Sequence, residues 1–207
     1  LLYARRICTN VTKVPMKELV GNTPAIKQAI SEEKGKIFIK EFPPATITPN
    51  QLKGFIKKFQ EQGIELDAII LDYLNLMHST MGNNSYERIK HVTEQVRAMS
   101  YLFNCPIISA TQLNRAGFDT DNPDLATISE SIGLAATADV ICSIFQNEED
   151  RELGIIRLGM MKNRYGPRGA TQAMRIDYST LSIEEADDIE FEDDSMETLS
   201  TLAGLAS

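Results

Sequence analysis

The chain has 207 residues, 43% of them apolar, with 21 Lys and Arg against 29 Asp and Glu for a net charge of −8. That length defaults to one globular domain with ample chain for a core, and no apolar run approaches the roughly 18 residues of a membrane span, so a cytoplasmic protein is expected. Three cysteines at unrelated spacings, two histidines and no Cys-x-x-Cys pair argue against a disulfide framework and against zinc.

Leu1 to Asn10 reads as a helix without an N-terminal cap, and its apolar start is too short, with charges after rather than before it, for a signal peptide to be expected here. Short helices are expected at Met16–Val20 and Pro24–Glu33, the second bounded by Gly21-Asn22 and Gly35. Lys36-Ile37-Phe38-Ile39-Lys40 reads as a strand. Thr48-Pro49-Asn50-Gln51 is a helix start, with Thr48 as cap, Pro49 in the first turn and Gln51 closing the capping box. Leu52, Phe55, Ile56 and Phe59 line its apolar face, and Gly63 stops it.

Asp67 to Tyr73 reads as a parallel strand buried on both faces, because its apolar residues are continuous rather than alternating. Ser85 is the expected cap of a long helix over Tyr86–Phe103 that buries Ile89, Val92, Val96, Met99 and Leu102. Cys105–Thr111 is the next buried strand, and a long loop covers 113–126. A short helix near Ile128–Ala136 leads to strands over Ala138–Phe145, Gly154–Met161, Gln172–Tyr178 and Leu181–Glu185. Strand and helix alternate early, and strands joined by short turns follow, which predicts an α/β fold with a mainly parallel sheet and an antiparallel hairpin at one edge. On this reading Cys105 and Cys142 lie in or beside strands and Cys8 in a helix, all three as buried thiols.

The acidity belongs to the end of the chain. Residues 183–207 hold nine acids and no Lys or Arg, and without them 20 acids face 21 bases, so the body is near neutral. Residues 1–185 are taken as one domain and 186–207 as an acidic, disordered tail, whose interspersed Ile189, Phe191 and Leu199 leave room for a partner-binding motif.

The chemistry-bearing residues follow apolar runs. Asp72 follows Ala68-Ile69-Ile70-Leu71, Gln112 follows the Pro106–Thr111 run, and Lys162 and Arg164 follow the run that ends at Met160-Met161. In an open parallel α/β sheet, ligands bind at carboxyl ends of strands. A carboxylate costs too much in a strand interior to sit there unpaired, so Asp72 belongs at a strand end, as a metal ligand or a loop cap. Two cations about 6–7 Å apart on one side of a strand call for an anion between them. Together these residues suit a Mg²⁺-nucleotide: the carboxylate for the metal, the amide for phosphate or water, the cations for charge developing on a phosphoryl group. Yet no G-x-x-x-x-G-K-[ST] loop occurs, and the one Gly-Lys pair, Gly35-Lys36, is followed by Ile37.

Taken together, the motifs become recognisable. Ile69-Ile70-Leu71-Asp72-Tyr73-Leu74 resembles the Walker B strand of DnaB-type hexameric replicative helicases, and Ala110-Thr111-Gln112-Leu113-Asn114-Arg115 their Ser-Gln-Leu-Asn-Arg motif, with Thr111 for Ser. Ser129-Glu130-Ser131 with Ala138-Asp139-Val140-Ile141 resembles their Glu-Ser…Ala-Asp motif, and Lys162-x-Arg164-x-Gly166-Pro167 the Lys-x-Arg-x-Gly-Pro motif that carries an arginine finger. All four stand in family order and spacing, from Leu1 to about residue 185. Asn84-Ser85-Tyr86, Ala136-Thr137-Ala138-Asp139 and Arg164-Tyr165-Gly166 are most similar to the T-even-like bacteriophage members.

The resemblance implies a RecA-like fold whose first strand, phosphate loop and catalytic glutamate lie outside this chain, so a partial motor domain is expected, inactive by itself. It implies ATP and Mg²⁺ as cofactors, with Asp72 holding the ion through water and Gln112 on the γ-phosphate. Lys162 and Arg164 would reach a neighbouring subunit's ATP. It further implies a hexameric ring, 5′-to-3′ movement on single-stranded DNA, and contact with a primase or loader. DNA would be gripped within residues 113–133, with Arg115, Glu130, Ser131 and Gly133 as its contacts; here Ser129 stands where the family has Arg, and the loop Phe118–Asp124 is acidic. Two other readings are another RecA-like ATPase, such as a RadA-type recombinase or a KaiC-like protein, and a non-catalytic α/β module that binds partners through its tail.

Overall fold

A computed structural model describes residues 2–79, 81–82, 84–112 and 132–186. The chain begins with α1 (Leu2–Thr12), a 3₁₀ turn (Met16–Glu18) and α2 (Thr23–Glu32). The segment 36–40 forms no strand. Its aromatics go to a helix instead: Phe38 packs edge-on against Phe59 with ring centroids 5.0 Å apart, and Phe42 against Phe55 at 5.7 Å. Ile37 and Ile39 are left exposed. The strand expected from the pattern does not form: the residue that packs is Phe38, on a helix, while the flanking isoleucines face out.

That helix is α3 (Pro49–Glu61), opened by the capping box read in the sequence: the Thr48 hydroxyl accepts from Gln51 N, and Gln51 Oε1 accepts from Thr48 N at 2.9 Å. Its Leu52 and Ile56 are buried with Ile69, Leu74 and the inner face of α4 (Ser85–Phe103). The cap of α4 is Asn84, whose Oδ1 accepts from Glu87 N at 2.8 Å; Ser85 is already helical, because the amide oxygen of Asn84 reaches the free N–H of the first turn from one residue earlier. Asn104 ends α4 in the left-handed region (φ 50°).

Strands β1 (Ile69–Leu71) and β2 (Ile107–Ser109) pair in parallel, with Leu71 opposite Ser109. Their burial is one-sided. Ile69 is buried on the α3–α4 side, while Ile70 is 75% and Ile108 55% exposed on the other. The continuous apolar run therefore does not mean burial on both faces among the described residues.

After α5 (Ile132–Thr137), β3 (Val140–Phe145), β4 (Ile155–Asn163), β5 (Thr171–Asp177) and β6 (Ser182–Glu185) form an antiparallel sheet in sequence order. The antiparallel part is thus larger than an edge hairpin. A helix absent from the sequence reading, α6 (Glu148–Leu153), reverses the chain between β3 and β4. Asn147 and Asp150 form its capping box, and Gly154 closes it at φ 68°. β3 and β4 lie so close that a Cβ on Gly159 would meet Ser143 Oγ at 2.6 Å. Along β3 the outward residues include Cys142, an exposed thiol where a buried one was expected; Cys105 is buried and Cys8 half-buried. Among the described residues no helix is long and apolar enough to cross a membrane. Of the tail expected at 186–207, Ala186 is instead buried with Ile155 and Ala173, and residues 187–207 lie outside the described residues.

Candidate functional site

Asp72 stands one residue past β1, exposed, as a strand-end carboxylate must be. Tyr3 of α1 donates its hydroxyl to Asp72 Oδ2 at 2.6 Å, and this hydrogen bond, with the carboxylate charge, raises the Tyr3 pKa above its ordinary 10.0. The turn after Asp72 is stitched to the end of β2. Ser109 Oγ donates to the Leu71 carbonyl at 2.9 Å and accepts from Leu74 N at 3.1 Å, while Asn75 Nδ2 donates to Thr111 Oγ1 at 3.4 Å. Gln112 follows Thr111 and is exposed. Because β1 and β2 run in parallel, Asp72 and Gln112 leave the pair at the same, carboxyl end.

Lys162 and Arg164 emerge at the end of β4, beside the start of β3, where Lys162 is opposite Ile141 and Arg164 N donates to the Asp139 carbonyl at 2.9 Å. Lys162 Nζ donates to the carbonyls of Ala135 (2.6 Å) and Ala136 (3.2 Å) at the end of α5, where helix carbonyls lack intrahelical donors. Burial, and then the neighbouring Arg164 charge, lower the Lys162 pKa. The anion that two adjacent cations call for is supplied from within: Arg164 Nη1 pairs with Asp139 Oδ1 at 2.7 Å. Arg97 of α4 donates to the same oxygen, also at 2.7 Å, and its other terminal nitrogen donates to the Thr137 carbonyl.

The sequence-derived residues therefore fall into two groups: Asp72 with Gln112, and Lys162 with Arg164. Among the described residues no hydrogen bond or ion pair links one group to the other. Gly133 serves packing: it is buried, and a Cβ there would meet Lys90 Cβ at 3.0 Å. Arg115, Glu130 and Ser131 lie outside the described residues. No cluster of three or more His, Cys, Asp or Glu side chains suited to a metal occurs among the described residues.

A family model described as the DnaB-like helicase C-terminal domain matches residues 2–181. The chain belongs to that family. Among relatives of this DnaB-like domain, the replicative helicase of Enterobacteria phage T4 is 25% identical over 139 residues, covering 65% of this chain and 29% of the relative. The replicative helicase DnaB of Mycoplasma genitalium is 29% identical over 144 residues, covering 63% and 31%. The chain thus spans about a third of the length of the curated relatives it matches. Among solved structures, an ATPase domain superposes with a TM-score of 0.73 at 18% identity over 88% of this chain and 69% of that one. A structure of a DnaB-like replicative helicase and its interactions with primase gives 0.73 at 18%, over 88% and 48%. These likenesses show the fold, the RecA-like α/β ATPase fold expected from the sequence.

Within this DnaB-like frame, sequence reasoning missed Arg97 and Tyr3. Each is one polar residue on a helix, and no local spacing ties it to a partner 42 or 69 residues away. Asp139 carries a local signal, as the acid of the Ala-Asp motif.

Proposed function

We propose that this chain is part of the motor of an ATP-dependent replicative DNA helicase that moves 5′ to 3′ on single-stranded DNA as a hexameric ring. The observation that supports it best is the division of the site. An acid and an amide leave the carboxyl end of the parallel pair, while the two cations sit at the end of β4, with no described contact between the groups. Such a division suits a site completed by a neighbouring subunit, with Lys162 and Arg164 acting in trans.

The donor set fits Mg²⁺-ATP. Asp72 is accessible, and Tyr3 occupies only its Oδ2, leaving Oδ1 for a hydrated ion. One carboxylate is enough for Mg²⁺, which keeps several waters and takes the rest of its shell from phosphates. The ion would neutralise phosphate charge. Asp72 would hold it, Gln112 would sense the γ-phosphate and pass its state to the residues that follow, and Arg164 would stabilise charge on the transferring phosphoryl group. A finger of this kind contributes ~10³–10⁵ in rate. Single-stranded DNA would bind within 113–133, and primase or a loader would meet the ring elsewhere, in the cytoplasm.

The test is directional unwinding. A chain carrying these residues behind a phosphate loop should unwind a forked duplex with a 5′ tail when ATP and Mg²⁺ are present. Unwinding from a 3′ tail alone, or none in assembled rings, contradicts the proposal.

A further inference from the structure

Arg97, Lys162 and Arg164 gather around one carboxylate, Asp139, so the cluster carries an excess of two positive charges. Its members are not held equally. Lys162 rests on the Ala135 and Ala136 carbonyls. Arg97 is held by Asp139 Oδ1 and by the Thr137 carbonyl, with the Tyr101 hydroxyl as a third acceptor at 3.5 Å, and its side chain is 22% exposed. Among the described residues Arg164 makes one side-chain ion pair, to that same oxygen, and is 43% exposed. Two guanidiniums on one oxygen repel each other, and the outer, singly held one is the easier to displace. Its backbone need not move with it, because Arg164 N stays on the Asp139 carbonyl.

We infer that Asp139 is a positioning residue: it docks the Arg164 guanidinium at home, with Arg97 as the fixed counter-charge, and yields it when a polyphosphate arrives. The inference rests on reading Arg164 as a finger. Exposed ion pairs are weak and easily screened. A polyphosphate offers several charges and bidentate acceptors, so it can take Arg164 from a single carboxylate oxygen. Asp139 then keeps Arg97 and is not left as an unpaired charge. The same dock ties the finger to the carboxyl end of α5, since Arg97 and Lys162 both hold carbonyls there. A shift of α5 would therefore move the finger's anchor.

The experiment titrates the 207-residue chain at low salt with inorganic tripolyphosphate, following Arg164 ¹³Cζ, Lys162 ¹⁵Nζ and Asp139 ¹³Cγ by NMR. In the unmodified chain, the Arg164 and Asp139 resonances should move together with one midpoint. Asp139→Asn should tighten binding by roughly 1.5-fold to fivefold, and Arg164→Met should weaken it. The gain from Asp139→Asn should largely vanish in the Arg164→Met background, whereas simple removal of a negative charge would persist there. If Arg164 moves while Asp139 does not, or the Asp139→Asn gain is absent or survives Arg164→Met, the dock is wrong and the finger stands. If neither Arg164→Met nor Lys162→Met changes the titration, or tripolyphosphate moves none of the three resonances, the finger reading falls and takes the dock with it. Should Asp139→Asn fail to fold, the co-titration in the unmodified chain decides alone.

Discussion

Tyr3 donates its hydroxyl to Asp72 Oδ2 at 2.6 Å, joining the first helix to the carboxylate 69 residues later at the end of β1. The bond favours the neutral phenol, so Tyr3 should titrate above 10.0 in the chain. Asp72→Asn should bring the midpoint back toward that value, as read from phenolate absorbance or ring NMR. The raised folded-state pKa means that the contact stabilises the fold below the ordinary tyrosine pKa, and that this is lost as pH rises through the folded value. An unchanged midpoint in Asp72→Asn would place the hydroxyl elsewhere.

Asp150 is 3% exposed and receives both Nε (2.8 Å) and Nη2 (2.9 Å) of Arg157 while closing the α6 capping box. Burial alone would push its carboxyl pKa up, but the hydrogen bonds from Arg157 and Asn147 outweigh it and hold the pKa below the usual carboxylate value. Asp150→Ala leaves Arg157 without this partner and opens the cap, which should cost about 3 kcal/mol in urea unfolding. A loss under about 0.5 kcal/mol, the range of ordinary surface substitutions, would contradict the account.

The β5–β6 turn makes a pH prediction. Thr180 Oγ1 donates to Asp177 Oδ2 at 2.6 Å, and the Ser179 hydroxyl and amide donate to Oδ1 at 2.7 and 2.8 Å, lowering the Asp177 pKa to about 2. A depressed carboxylate pKa stabilises the fold above the unfolded value, near 3.9, and that contribution disappears as pH falls through about 2. Thr180→Val should raise the Asp177 midpoint by NMR titration. A midpoint that stays near 2 would remove the hydroxyl from the cause.

How much of this was legible in the sequence depended on how local each signal was. The capping box of α3 needs only Thr48 and Gln51, three residues apart, and it stands as read. The placing of Asp72 and Gln112 follows from polar residues after apolar runs: Asp72 stands directly after β1, and Gln112 lies farther out, beyond the end of β2 at Ser109. Segment 36–40 shows the limit: the pattern suggests a strand, yet Ile37 and Ile39 are exposed and the middle residue, Phe38, packs on Phe59 of a helix. Arg97 was invisible for the same reason, because its meaning comes from Asp139, 42 residues away.

The absence of a G-x-x-x-x-G-K-[ST] loop within these 207 residues makes a further prediction. The chain by itself should release no phosphate from ATP above a no-protein control, with or without single-stranded DNA. DNA-stimulated hydrolysis by the purified chain would show that its phosphate-binding groups have been misjudged.

The in-trans role of Arg164 is the central claim, and mixing two inactive variants tests it most directly. In a ring-forming chain that joins these residues to a phosphate loop, Arg164→Ala should bind nucleotide but turn over at most about one thousandth as fast. Asp72→Ala should lose Mg²⁺-dependent binding in its own subunit. Mixed rings contain interfaces with an intact Asp72 on one side and an intact Arg164 on the other, so mixing should restore part of the ATPase activity. Mixed rings seen by native mass spectrometry with no recovered turnover would contradict the account.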